Sequence, residues 1–124
     1  SSMAGILTSQ GNSTYATTKH AVVGLAEWLA ITYHNQGVRV SLLAPLGVRT
    51  PMLGDTSFAA SSAVGPVKEP EEVAQQVLDA VAEERFLILT DPIAQTWMER
   101  KTNDLERWLG GMRRLQAKME SMPR

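Results

Sequence analysis

An α/β fold is predicted by two stretches of this chain. The first is a long apolar helix pattern from about Tyr15 to His34 that turns at Gly37 into "VRVSLLAP", a strand of residues 38–44 stopped by Pro45. The second is an acidic helix pattern over about 70–84 that leads into "FLILT", a short strand of 86–90. Helix, short turn and buried strand form one αβ unit of an α/β sheet. The near-continuous apolar half of the first strand is typical of strands covered on both faces in a parallel sheet.

Taken in order, residues 1–14 are mostly small and polar and read as a loop. Asn12, Ser13 and Thr14 all suit the N-cap of the helix that follows. Along that helix Ala21, Val22, Leu25, Trp28, Leu29 and Thr32 recur at helical spacing, and Val23, Ala26, Ala30 and Ile31 widen the apolar surface. Such a helix is expected to be buried on two sides, against its own sheet and against something else. The stretch from about Gly54 to Lys68 is rich in small residues and reads as a mobile loop, with room for one short helical turn. In the acidic helix Pro70 suits the first turn, and Glu69, Glu71 and Glu72 suit its positive end. Asp91-Pro92 then starts a helical tail. Leu105, Trp108, Met112, Leu115, Met119 and Met122 in this tail form a seam wanting a partner. Gly110-Gly111 interrupts the seam at about 1 kcal/mol per Gly relative to Ala, so a break there and one long helix are both compatible with the pattern.

The 124 residues fit one ordinary domain, and a net charge of −1 gives no field favouring nucleic acid or an anionic membrane. The absence of cysteine removes disulfides, thiolate metal sites and thiol nucleophiles. No apolar run approaches the ~18–20 residues of a membrane span, and the cytoplasm is the expected compartment. His20 and His34 lack acidic or Cys partners at ligand spacing, so no metal site is expected.

Chemistry concentrates at Tyr15 and Lys19. Four residues apart on a helix, their side chains share one face with Cβ atoms ~5–6 Å apart. An ammonium there, together with the helix's positive end, favours the phenolate form and makes a tyrosine able to exchange protons near neutral pH. Lys follows a given Tyr at this spacing by chance about once in fifteen, so the pair taken alone reads first as a half-buried Tyr beside a solvated Lys.

The wider pattern "SS.AG…Y..TKHAVVGL…GVRVSLLAP.GV.TPM" over about residues 1–53 resembles the C-terminal half of the short-chain dehydrogenase/reductase family. The resemblance implies the C-terminal half of a Rossmann-like doubly wound parallel sheet over 1–90 and an added helical extension over 91–124. It implies an NAD- or NADP-dependent oxidoreductase that interconverts an alcohol and a carbonyl. In it Tyr15 matches the acid/base, Lys19 the residue that assists it and binds the cofactor ribose, and Ser2 the substrate-orienting serine. Pro45, Val48 and Thr50 match the segment against the nicotinamide. The family's usual Pro-Gly is here Pro45-Leu46, with Gly47 one place later. The loop from about Met52 to Lys68 corresponds to the family's substrate lid, and the helix beginning at Tyr15 to its surface for homo-oligomers.

The family's N-terminal glycine-rich pyrophosphate turn is not found, since Gly5, Gly11 and Gly24 are spaced wrongly and follow no strand. The expectation is therefore a fragment of a longer enzyme, inactive and without cofactor affinity by itself. A start at Met3, which would remove Ser2 from the native sequence, and a naturally short protein are the alternatives. A different class of function is an oligomerisation or interaction module that keeps the motif by descent. The helical tail fits either a cover for the substrate site or an oligomer contact.

Overall fold

A computed structural model describes residues 1–51 and 65–122. In chain order these form α1 (Ala4–Leu7), α2 (Ser13–Thr32), a 3₁₀ turn (His34–Gln36), β1 (Leu42–Ala44), α3 (Pro70–Ala82), β2 (Leu87–Leu89), α4 (Pro92–Asn103) and α5 (Leu105–Glu120). The architecture is α/β: β1 and β2 pair in parallel, with Leu42, Leu43 and Ala44 opposite Leu87, Ile88 and Leu89. Parallel neighbours need a crossover, and α3 supplies it. The predicted loop is described only from Gly65 onward, and its reach from Met52 to Val64 lies outside the described residues.

The helix starts follow local chemistry. Asn12 Oδ1 accepts the Tyr15 amide at 2.9 Å, and Asp91 Oδ1 accepts the Ile93 amide at 2.9 Å. Pro70 occupies the first turn of α3, as its missing N–H allows. Gly37, at φ 86°, closes the 3₁₀ turn in the left-handed region that favours glycine.

Several elements differ from the sequence expectation. The first strand is Leu42–Ala44, shorter than 38–44, because its partner offers only three facing residues. Upstream, Ser41 Oγ donates to the Arg85 carbonyl at 2.8 Å, and Arg39 bonds Glu84 and the His34 carbonyl. The second strand is Leu87–Leu89 rather than 86–90; past it the Thr90 carbonyl accepts Gln76 Nε2 of α3 at 3.0 Å instead of a strand amide. Residues 1–14 contain α1, whose Met3 and Leu7 are buried. The tail breaks at Asp104, whose Oδ1 accepts the Arg107 amide at 3.0 Å, and α5 runs through Gly110-Gly111 without interruption. A side-chain cap thus sets the break where backbone flexibility does not.

The core joins both ends of the chain. Met3, Leu7, Ala44 and Ala94 are buried together, with Leu46, Leu87, Leu89, Trp97, Met98 and Trp108 packed around them. Ala44 and Ala94 are fully buried, and their small side chains let α4 lie against the sheet. The tail is therefore part of the packed unit, and Trp108 of the predicted seam faces its core.

The long helix α2 departs most from expectation. It packs on α1, and a cavity of about 240 Å³ bounded by Val23, Glu27, Leu42, Phe86 and Leu87 separates it from the sheet. Only Ala16 and Ala26 are buried along it, while Val22, Leu25, Trp28 and Ile31 are exposed. The chain covers one flank of α2 and leaves the other apolar flank in solvent.

Candidate functional site

Three segments carry the sequence-predicted residues, and hydrogen bonds tie them together. Residues 1–5 run along α2: Ser1 Oγ donates to the Lys19 carbonyl at 3.0 Å. Gly5 is the contact point, because a Cβ there would lie 2.5 Å from the Lys19 carbonyl oxygen. The amide of Met3 donates to the Pro45 carbonyl at 3.0 Å, which binds the first segment to the turn after β1. Ser2, Lys19 and Pro45 thus belong to one junction.

Tyr15 lies in the first turn of α2, half-buried, with its amide held by Asn12. The Lys19 ammonium sits 5.4 Å from the Tyr15 ring centroid, within cation–π range, as the four-residue spacing requires. The Ser2 hydroxyl accepts the Ala4 amide at 3.1 Å instead of meeting the Tyr15 hydroxyl.

Val48 and Thr50 extend from the turn. Val48 pairs in parallel with Lys68 through two bonds, Lys68 N to Gly47 O at 3.0 Å and Arg49 N to Lys68 O at 2.9 Å. In that pattern the N–H and C=O of Val48 itself point away from Lys68 and meet no backbone partner among the described residues. Thr50 is exposed. His20 Nδ1 lies 2.7 Å from the Ala16 carbonyl, a contact within its own helix. Among the described residues no group of three or more His, Cys, Asp or Glu side chains is placed to hold a metal.

Sequence reasoning did not anticipate a groove of about 600 Å³ beside the first turn of α2. Asn12, Ser13 and Ala16 line one side, and Met112, Arg113 and Gln116 of α5 line the other. Gln10 Nε2 reaches Met112 Sδ at 3.6 Å across it. At the mouth of this loop Thr8 holds φ 75° with ψ 178°, a strained conformation for a β-branched residue. The half-buried side of the tail's seam was legible as apolar spacing; the loop it would meet was not.

The parallel β1–α3–β2 unit and the Tyr15–Lys19 pair stand in a chain that is similar to short-chain dehydrogenases. Residues 1–60 match the short chain dehydrogenase family. The chain is 32% identical to 1-deoxy-11-beta-hydroxypentalenate dehydrogenase of Streptomyces avermitilis over 87% of its own length and 40% of that protein. It is 34% identical to cyclohexanol dehydrogenase of an Acinetobacter species over 61% of this chain and 32% of the relative. An uncharacterized NAD-dependent oxidoreductase of Mycobacterium tuberculosis is 45% identical over 43% of this chain and 19% of its own. The chain belongs to the short-chain dehydrogenase/reductase family. It spans two-fifths or less of the length of these curated relatives. No described helix is long and apolar enough to cross a membrane.

Proposed function

We propose that the full-length product of this gene is a nicotinamide-dependent oxidoreductase that interconverts an alcohol and a carbonyl, with Tyr15 as its acid/base. The observation that carries this reading is the junction of Tyr15, Lys19 and the Ser2 segment with the Pro45 turn, in a chain of this family. Tyr15 would exchange a proton with the substrate oxygen at its phenol oxygen. Lys19 would stabilise negative charge developing there and bind a ribose hydroxyl. The Ser2 hydroxyl, released from the Ala4 amide, would orient the substrate oxygen.

The donor set fits the nicotinamide end of a dinucleotide. Val48 offers one backbone N–H and one C=O with no backbone partner among the described residues, the pair a carboxamide needs, and Thr50 lies two residues on. Such a cofactor, when bound, supplies or accepts the hydride. The groove between α2 and α5 would take the remainder of a small hydroxylated or carbonyl substrate, its polar loop wall facing the Met112 side. Two relatives are named as dehydrogenases of hydroxypentalenate and cyclohexanol, which supports that substrate class. The exposed flank of Val22, Leu25, Trp28 and Ile31 would join two copies of the chain, burying what a single copy leaves in water. The choice between NAD and NADP is read by titrating the full-length product with NADH and with NADPH. Enhanced fluorescence with one of them supports the reading, and no response to either contradicts it.

A further inference from the structure

Thr90 follows β2 and is 1% exposed, the one buried polar side chain among the described residues. Burying a hydroxyl has a cost unless it is bonded, and here the partner is specific. The amide of Leu46 donates to Thr90 Oγ1 at 3.2 Å. Leu46 stands where the family's usual glycine would, next to Pro45 and two residues before Val48. The Thr90 backbone is held in turn, since Gln76 Nε2 of α3 donates to its carbonyl at 3.0 Å. That arrangement leaves Gln76 Oε1 buried with no donor among the described residues.

The next residue ties the other side of the same segment. Asp91 Oδ2 pairs with the Lys68 ammonium at 3.8 Å, and Lys68 is the backbone partner of Val48. The end of β2 therefore grips residues 46–48 twice, directly through Thr90 and through Lys68 by way of Asp91. What those grips fix is the direction of the Val48 N–H and C=O.

We propose that Thr90 is a positioning residue for the cofactor-facing backbone at Val48, acting through the Leu46 amide, with Gln76 holding Thr90 in place. The inference rests on the oxidoreductase reading above and deepens it. It assigns to the end of the last strand a role in how tightly the nicotinamide end is held.

The test uses the full-length product and whichever of NADH and NADPH the wild type binds. Thr90→Val keeps shape and removes the acceptor, while Thr90→Ser keeps the acceptor. The dissociation constant of the reduced cofactor, read by its fluorescence, is expected to rise about tenfold in Thr90→Val, the worth of one hydrogen bond. The cofactor KM should rise with it while kcat at saturating cofactor changes less than about twofold, and Thr90→Ser should restore both. Cofactor affinity unchanged in Thr90→Val, with or without a lower Tm, overturns the inference, as does failure of Thr90→Ser to rescue. Where Thr90→Val does not fold, Gln76→Met serves: a raised dissociation constant at unchanged Tm supports the inference, and an unchanged one overturns it. A wild type that binds neither cofactor removes the oxidoreductase reading and this inference with it. A wild type that binds, beside a Thr90→Val that binds equally, removes the inference alone.

Discussion

Gly5 rests on Lys19 so closely that the smallest side chain at Gly5 would collide with the Lys19 carbonyl at 2.5 Å. The neighbour is helix backbone, which cannot swing aside as a flexible side chain can. The contact sets how near the Ser2 segment comes to the helix carrying Tyr15 and Lys19. Gly5→Ala is therefore expected to destabilise the protein by about 1–3 kcal/mol through overpacking. In the proposed full-length oxidoreductase it should lower kcat more than cofactor affinity, because it moves the Ser2 segment away from the helix that carries Tyr15. Urea unfolding and steady-state kinetics measure the two effects; a stable, fully active variant would show that the junction tolerates separation.

Gly65 meets a double constraint. Its φ is +71°, and a Cβ would lie 3.0 Å from Trp97 and 3.1 Å from Leu46. Gly65→Ala should cost about 1–3 kcal/mol from left-handed strain and crowding together. Trp97→Leu in the same chain relieves only the crowding, so the double variant should lose less than the sum of the two single losses. Denaturation of the four proteins gives the coupling, and strict additivity would mean that the Trp97 ring is not what fills the space.

Ile31, 80% exposed, and Leu25, 59% exposed, project from the uncovered flank of α2. Glu at either position touches little in a single copy and should change its folding stability by no more than about 0.5 kcal/mol. In a dimer packed through that flank the same Glu would be buried without a partner. Sedimentation should find the wild type associated and Ile31→Glu monomeric. Equal association of both would place the contact elsewhere.

Much of the fold was legible because local chemistry writes helix starts into the chain. Asn12, Pro70 and Asp91 each mark one, and each acts within three residues of itself. The strands were overextended because a strand ends where its partner ends, and Val38 to Ser41 face no residue of β2. Helix α1 escaped because four residues cannot hold a helix by propensity. Burial of Met3 and Leu7 against Ala44 and Ala94, far along the chain, holds it instead. The break at Asp104 was not legible because an Asp within a helical tail caps a new helix only where its side chain turns to a following amide, here that of Arg107.

In the site, Tyr15 and Lys19 were legible as one face of a helix, and the 5.4 Å contact between ammonium and ring follows that spacing. Gly5 and Thr90 were not. A glycine in a polar loop and a threonine after a strand carry no signal until the Lys19 carbonyl and the Leu46 amide are brought to them. The groove wall at Met112 and Arg113 is illegible for the same reason, since the loop opposite is about a hundred residues away in the chain, as the separation of 102 between Gln10 and Met112 records.

The proposed chemistry turns on the phenol oxygen of Tyr15. In the full-length product Tyr15→Phe keeps the ring beneath the Lys19 ammonium and removes only the group that exchanges the proton. The rate of cofactor oxidation or reduction with an alcohol or carbonyl substrate should fall by at least about 10²-fold, the scale of general acid–base catalysis. Cofactor affinity, read by fluorescence, should stay within about threefold of wild type, under 1 kcal/mol. A Tyr15→Phe enzyme that turns over at the wild-type rate would contradict the account.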